Sequence, residues 1–534
     1  MHSRQTVRPP AILGRIALAC CSTLVVGGGD RAARAADPVA VRPLAGSRPN
    51  IVFVITDDQG YGDLSAHGNP VLQTPHLDAL YAESLRFTDF LVSPTCSPTR
   101  AALMTGRHEF KNGVTHTIYE RERLALGATT IAEVLRSAGY ATGIFGKWHL
   151  GDEAEYRPDR RGFDEVYIHG AGGIGQTFPG SCGDAPGNGY FNPALLHNGT
   201  FEKTEGYCTD LFFRQATRWI ESQAEAKQPF FAYIATNAPH SPYIARPEDK
   251  AIYESRDQLD PAQQNFFGMI HNIDENIGRL LARIDALGIA GQTLVVYMND
   301  NGGTAGVPIH NAGMRGAKGS PWLGGTRAMA LWRWPGRIRP GDCDRLVAHI
   351  DVFPTFAELA GVEFDGRLRS QVEGKSLVPL LADPADPAGE VCDERPLFTH
   401  VGRWPRRSDP NAAKYANAAV RTKDWALVNP AGGAEPDWKL YDLRSDYGQQ
   451  HDVLAEHPDV ARDLAAAYDR WWAEVVPLLV NEGAEGPRIN PFQELYYRQF
   501  GGQPTPEALE QMRPDRDISR PEQRPKQRKP QPAG

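Results

Sequence analysis

The chain has 534 residues, 41% of them hydrophobic, and 57 basic against 65 acidic side chains give a formal net charge of −8. That length exceeds what one compact domain usually needs and points to one large domain plus a smaller one. Positive charge gathers at the two ends, so the body between them is strongly acidic; it should repel nucleic acid, and no internal run is apolar enough to span a membrane.

In chain order, the first 35 residues predict a signal peptide. Arg4, Arg8 and Arg15 precede a short apolar core at 16–26, and Ala33-Arg34-Ala35 offers a small-x-small cleavage site. A membrane anchor is the alternative, but the core falls short of the roughly 20 residues that a span needs. Cys20 and Cys21 raise a lipoprotein alternative, which the residues before them fit poorly. The expectation is therefore export to a periplasmic or extracellular space.

Residues 50–56 (NIVFVIT) predict a buried parallel strand that delivers Asp57 and Asp58 at its carboxyl end. A helix over 129–138 stops at Gly139, and a strand follows at 140–145. A helix over 208–223 leads to the strand at 230–236, and a long helix from Pro261 to Leu287 leads to TLVVYMND at 293–300. This alternation predicts an α/β fold: a large, mostly parallel central sheet flanked by helices, with ligands at the carboxyl edge of the strands.

Residues 165–207, rich in Gly, Asn and Pro, read as a long irregular loop that shapes a pocket. Within it Asn198-Gly199-Thr200 formally fits a glycosylation sequon. Past residue 385 short strand-like pieces and a helix near 459–476 predict a smaller α+β C-terminal domain. The expected division is a signal peptide at 1–35, a catalytic domain at 48–385, the α+β subdomain at 386–485 and an extended, partly disordered tail at 486–534. Cys182, Cys208, Cys343 and Cys392 are an even set in an exported chain; of the three possible pairings, 182–208 with 343–392 is the expectation.

Asp57, Asp58, Asp300 and Asn301 form a hard, all-oxygen set that suits calcium or magnesium rather than zinc. Taken alone, these Asp-, Asn- and Gly-rich stretches are equally at home in simple turns. The segment PTCSPTRAALMTGR at 94–107 changes the balance. Its C-x-P-x-R, followed at a fixed offset by T-G-R, resembles the signature of the sulfatase family, members of the alkaline phosphatase superfamily. The resemblance runs from about Pro49 to Arg327. It takes in Gly146-Lys147-Trp148-His149-Leu150, His240 beside Pro239 and Pro242, Asp300-Asn301-Gly302, and Arg315-Gly316-Ala317-Lys318-Gly319. Two departures stand out: Leu323 occupies the place of a usual glutamate, and LYDLRSDYGQQHDV lacks the proline and glutamate of the family's ending.

The resemblance implies a sulfatase of the arylsulfatase type. A maturation enzyme would oxidise Cys96 to formylglycine (3-oxoalanine). One Ca²⁺ would be held by Asp57, Asp58, Asp300 and Asn301 and would touch position 96. The hydrated aldehyde would attack sulfur and later expel sulfate, a release that sulfated serine or cysteine lacks. Arg100 and Lys147 would orient it, on a helix N-terminus if 97–105 is helical. Lys147 and His149, two apart, would share a face of an extended segment, with His149 as base; His240 and Lys318 would bind sulfate on the leaving side, with His240 the acid. The substrate would be an aryl or carbohydrate sulfate. The competing readings are a phosphoester or phosphonate hydrolase of the same superfamily and an unmatured binder of sulfated glycans.

Overall fold

The computed structural model describes residues 43–518, apart from Gly433. The signal peptide expected over 1–35 and the end of the tail lie outside the described residues.

Eleven strands build the main sheet: β1 (Asn50–Thr56), β2 (Leu85–Leu91), β3 (Ala141–Lys147), β4 (Glu165–His169), β5 (Ala194–His197), β6 (Thr200–Lys203), β7 (Phe230–Ala235), β8 (Thr293–Asn299), β9 (Arg327–Ala328), β10 (Ala330–Arg333) and β11 (Gly341–Ala348). Their order is β11-β2-β10-β8-β1-β7-β3-β4-β5-β6, with β9 paired to β2. The pairs β1–β7, β1–β8, β3–β7, β3–β4 and β2–β11 are parallel. Because β10 runs antiparallel to both β8 and β2, and β5 to both β4 and β6, eight strands share one direction, and the central ones present their carboxyl ends along one edge.

Both faces of this sheet are covered, which is why its central strands read as unbroken apolar runs. In β1, Ile51, Phe53 and Ile55 enter one core and Val52 and Val54 the other, the two-residue period of a strand. The helix Pro261–Ala286 lays Met269, Ile273, Ile277, Leu280 and Ile284 on the second face at helical spacing, beside Leu211, Phe212 and Ile220 of Cys208–Ala226. The first face is covered by Ile131–Ser137 and Val352–Leu359. Thr130 and Asp260 open their helices with reciprocal capping boxes to Glu133 and Gln263.

A second sheet, β12 (Leu397–His400), β13 (Ala418–Arg421), β14 (Trp425–Asn429) and β15 (Lys439–Asp442), is wholly antiparallel. One face packs Val420, Leu427 and Leu440 on Tyr468, Trp471 and Trp472 of the helix Pro458–Val475. The other packs Ala419, Ala426, Val428 and Tyr441 on Met314, Trp322 and Leu323. Leu323, in the place of the family's glutamate, is therefore part of an apolar seam between the two sheets.

Three expectations are corrected. Residues 165–207 are not irregular throughout: β4 joins the parallel sheet, and β5–β6 form a hairpin whose two-residue turn, Asn198-Gly199, has φ of 48° and 87°. Asparagine-glycine is the pair that such a turn with two positive φ values demands, so a structural reason accounts for that sequence. Over its described part, residues 486–518, the tail is not extended, since helices occupy Pro491–Phe500 and Pro506–Met512 and Phe492 is fully buried in the main core. Finally, the cysteine pairings are not formed. Cys182, Cys208, Cys343 and Cys392 are all free and buried; Cys182 faces the carbonyl of Thr117 and Cys343 that of Pro384, so their surroundings are local polar groups rather than each other.

Candidate active site

The shared strand direction gathers the predicted residues. β1 ends at Asp57-Asp58, β8 at Asp300-Asn301, and β3 at Lys147 with His149 two residues on; β7 leads into the loop bearing His240. After β2 the chain turns into the helix Cys96–Thr105, which Cys96 opens, with Thr95 at the cap and Gly106 ending it in the left-handed conformation. Cys96 is 2% exposed. Gly302 allows the segment 323–326 to close against this edge, because a Cβ there would lie 2.0 Å from the Gly324 carbonyl oxygen.

The acidic cluster is cross-tied. The Asp58 amide donates to Asp300 Oδ1 (3.2 Å), and Asn301 Nδ2 donates to Asp58 Oδ1 (3.1 Å). Arg100 donates through Nη2 and Nε to Asp300 Oδ2 (2.8 and 3.2 Å). Lys147 Nζ donates to Asp57 Oδ2 (2.6 Å), and the Lys318 ammonium pairs with Asp58. Asp58 adopts φ of 69°, a strained backbone for a non-glycine residue and typical of functional sites.

These bonds leave two oxygens, Asp57 Oδ1 and Asn301 Oδ1, fully buried without a partner. One ligand atom each from Asp57, Cys96 and Asp300 lie within 4.8 Å of one another, as do those of Asp57, Asp58 and His240. Burial raises Asp57 to about 7 and outweighs the Lys147 ammonium beside it; the neighbouring Asp58 carboxylate pushes the same way. Burial also raises Asp300, with Asp57 adding to it. Burial would raise Asp58 as well, but the Lys318 ammonium paired with it holds it well below the usual carboxylate range. Carboxylates crowded this closely, with two orphaned oxygens among them, fit a divalent cation, and the oxygen donors of Asp57, Asp58, Asp300 and Asn301 suit calcium.

Burial favours the neutral form of both site histidines. His149 adopts φ of 60°, so the chain leaves the extended conformation there and the face expected to be shared with Lys147 does not exist. Lys147 reaches Asp57 while His149 Nε2 lies 2.8 Å from the Thr117 carbonyl. Burial and the Lys147 charge lower His149 to about 4. His240 Nδ1 donates to the Ser241 carbonyl (2.7 Å), which leaves Nε2 facing Asp58 Oδ2 at 3.8 Å; burial lowers it too to about 4, although Asp58 opposes this. A neutral imidazole accepts protons, whereas donation by His240 requires it first to be charged beside Asp58 and a bound anion.

Two neighbours were missed from the sequence. His169 ends β4 in register with Lys147, with Nδ1 donating to Gly170 O and a buried Nε2 without a hydrogen-bond partner. Its signal, a polar residue closing a VYI run, was masked by reading 165–207 as loop. Glu122, in the charged run Glu120–Arg123, is fully buried beside His149; a charge run ordinarily marks a solvated surface.

The chain resembles known proteins over most of its length. The sulfatase family model matches residues 49–362, and a model described as N-sulphoglucosamine sulphohydrolase, C-terminal, matches 325–468. Arylsulfatase A of Bos taurus is 35% identical over 457 residues, covering 79% of this chain and 87% of that protein. N-acetylgalactosamine-6-sulfatase of Sus scrofa is 31% identical over 384 residues, 66% of this chain and 69% of its own. Among solved structures, Ps i-CgsB matches with a TM-score of 0.69 and 29% identity over 79% of this chain and 92% of that one, and a second structure of it holds k-i-k-neocarrahexaose. A phosphonate monoester hydrolase from Silicibacter pomeroyi shares the fold at a TM-score of 0.55 and 20% identity, over 80% of this chain and 95% of its own. The chain belongs to the sulfatase family. It is a sulfuric ester hydrolase, built on the mostly parallel central sheet with a smaller C-terminal sheet domain that the sequence predicts.

Proposed function

We propose that the protein releases inorganic sulfate from the sulfate monoesters of a glycan, and accepts aryl sulfates as small surrogates, using a formylglycine made from Cys96 and one Ca²⁺ held by Asp57, Asp58, Asp300 and Asn301. The observation that carries this reading is the place of Cys96: a buried helix-opening residue whose sulfur lies within 4.8 Å of carboxylate oxygens of Asp57 and Asp300. A formylglycine supplies an oxygen nucleophile with its own route of release, and calcium supplies positive charge that screens an approaching sulfate. The chain's side chains do the rest. Arg100 and Lys147 fix Asp300 and Asp57 from behind and add positive charge that favours an anion. His149 accepts a proton at its free nitrogen. Lys318 and His240 flank Asp58 and meet the sulfate on the leaving-group side; His240 takes up a proton from solvent at Nε2, which the bound anion beside it favours, and passes it to the departing alcohol.

The glycan assignment is supported by the relatives, of which one is named N-acetylgalactosamine-6-sulfatase and one is seen in complex with k-i-k-neocarrahexaose. Maturation needs an enzyme that reads the stretch 94–107. Export to a periplasmic or extracellular space follows from residues 1–35; among the described residues no helix is long and apolar enough to cross a membrane.

Parallel assays with nitrophenyl sulfate and nitrophenyl phosphate test the reading, together with the mass of the tryptic peptide containing position 96. Sulfate turnover well above phosphate turnover is expected, with a peptide lighter than its thiol form. Preferred phosphate turnover, or full sulfatase activity with an intact thiol, would overturn it. A screen of sulfated mono- and polysaccharides then identifies the glycan.

A further inference from the structure

Behind His149 lies a buried polar group that the proposed mechanism does not use. His149 Nε2 is 2.8 Å from the Thr117 carbonyl and 3.2 Å from Glu122 Oε2, and both side chains are almost wholly excluded from solvent, at 2% and 0% exposure. A carbonyl oxygen only accepts, so Nε2 carries the hydrogen and Nδ1 holds the lone pair. Nδ1 is buried and has no partner. The Glu122 oxygens make no hydrogen bond of good geometry either, so the carboxyl acts on the ring through proximity. Gly172 packs against the ring, where a Cβ would come within 2.4 Å of Cε1, and this close approach restricts the ring.

Resting on the sulfatase reading, we infer that Glu122 is the positioning residue of His149: with the Thr117 carbonyl it fixes the Nε2–H tautomer, leaves Nδ1 as the proton acceptor, and stabilises the imidazolium formed when Nδ1 takes up a proton while Nε2 keeps its own. The groups facing the pair are Lys147, His116 and His169 around His149, and Asp152 and Cys182 around Glu122. Cys182 gives the trio Glu122, His149 and Cys182 the composition of a metal site, with ligand atoms within 4.8 Å. The Nε2–H donated to Thr117 argues against that use, because the nitrogen nearest Glu122 has no lone pair to give.

The test is Glu122→Gln in the calcium-loaded, matured protein, beside wild type, with ¹⁵N-histidine spectra recorded as a function of pH. Wild-type His149 should be the Nε2–H tautomer, and the substitution should move its titration to lower pH; neither readout depends on turnover. With nitrophenyl sulfate, kcat should fall by about 10- to 100-fold and KM change by less than about threefold, as for loss of an interaction made only in the transition state. An unchanged His149 titration with unchanged kcat overturns the role, as does a wild-type Nδ1–H tautomer. Stoichiometric zinc in the wild-type protein that is lost on Cys182→Ser also overturns it. If matured wild type releases no sulfate from any ester, the functional reading fails, and the spectra still decide the role of Glu122.

Discussion

Position 96 and the charges around it set what single residues can do. Cys96→Ala removes the group that the maturation enzyme converts, while taking only a sulfur from a helix end. Turnover of nitrophenyl sulfate should fall by more than about a thousandfold, with the thermal midpoint close to wild type. Arg100→Ala should behave in the opposite way towards stability. Arg100 and Asp300 form an ion pair with side chains 1% and 0% exposed, and truncation strands a buried carboxylate, at a cost of about 3–5 kcal/mol. Thermal unfolding of that variant should show the loss, and added calcium should restore part of it by compensating Asp300. The ten candidate site residues could be picked out because they stand in recognisable strings after strands or at a helix start, and the structure gathers them around one sheet edge. Glu122 and His169 were not, since one sits in a charge run that resembles solvated surface and the other ends a strand hidden in a glycine-rich stretch.

Elements differ in how plainly they announce themselves. β1, β3, β7 and β8 are buried on both faces, and their apolar runs name them. β2 and β11 carry Arg86, Thr88, Asp342 and Asp344 among their apolar residues, and β5 and β6 are four residues each, so neither pattern nor length revealed them. The stretch between β4 and β5 is held partly by Asp152, whose Oδ2 accepts from the amides of Ala171 (3.0 Å) and Gly183 (3.1 Å). Burial raises Asp152 from 3.8 to about 8, in spite of those two hydrogen bonds. Between these values the folded chain keeps a proton that the unfolded chain has released. Stability from this group is therefore complete below about pH 4, declines as pH rises, and is fully lost above about pH 8. Asp152→Asn keeps an acceptor for both amides without the titration. The stability of this variant relative to wild type should be greater near pH 9 than near pH 5, by on the order of 1–3 kcal/mol. A thermal midpoint that differs from wild type equally at both pH values would sink this account.

Across the whole molecule, an apolar seam at Leu323 helps join the C-terminal sheet to the rest, and the sequence disclosed only half of it. The short strand-like pieces past residue 385 and the helix after them pointed to a small α+β domain, but nothing local said that its sheet is also covered by the segment from Met314 to Leu323, about a hundred residues earlier. The leucine in place of the family's glutamate is the clue in retrospect: at 2% exposure among Trp322, Ala426, Val428 and Tyr441, a side chain there is solvated by apolar groups. The same segment donates the Leu323 amide to Gln449 Oε1 (2.9 Å) and supports Gly302 through the Gly325 carbonyl (3.0 Å), so the seam connects the C-terminal sheet to the loop that follows Asp300-Asn301. Leu323→Ala should therefore cost about 2–4 kcal/mol, the transfer of the lost methylenes plus the cavity they leave. Combined with Val428→Ala, from the facing strand, the loss should be smaller than the sum of the single losses, because both side chains line one cluster and the first truncation already loosens the contacts of the second. Calorimetry of the two single variants and the double variant measures this directly. Strict additivity would mean that the two sheets do not share a cooperative core at Leu323, and the leucine would then need another explanation.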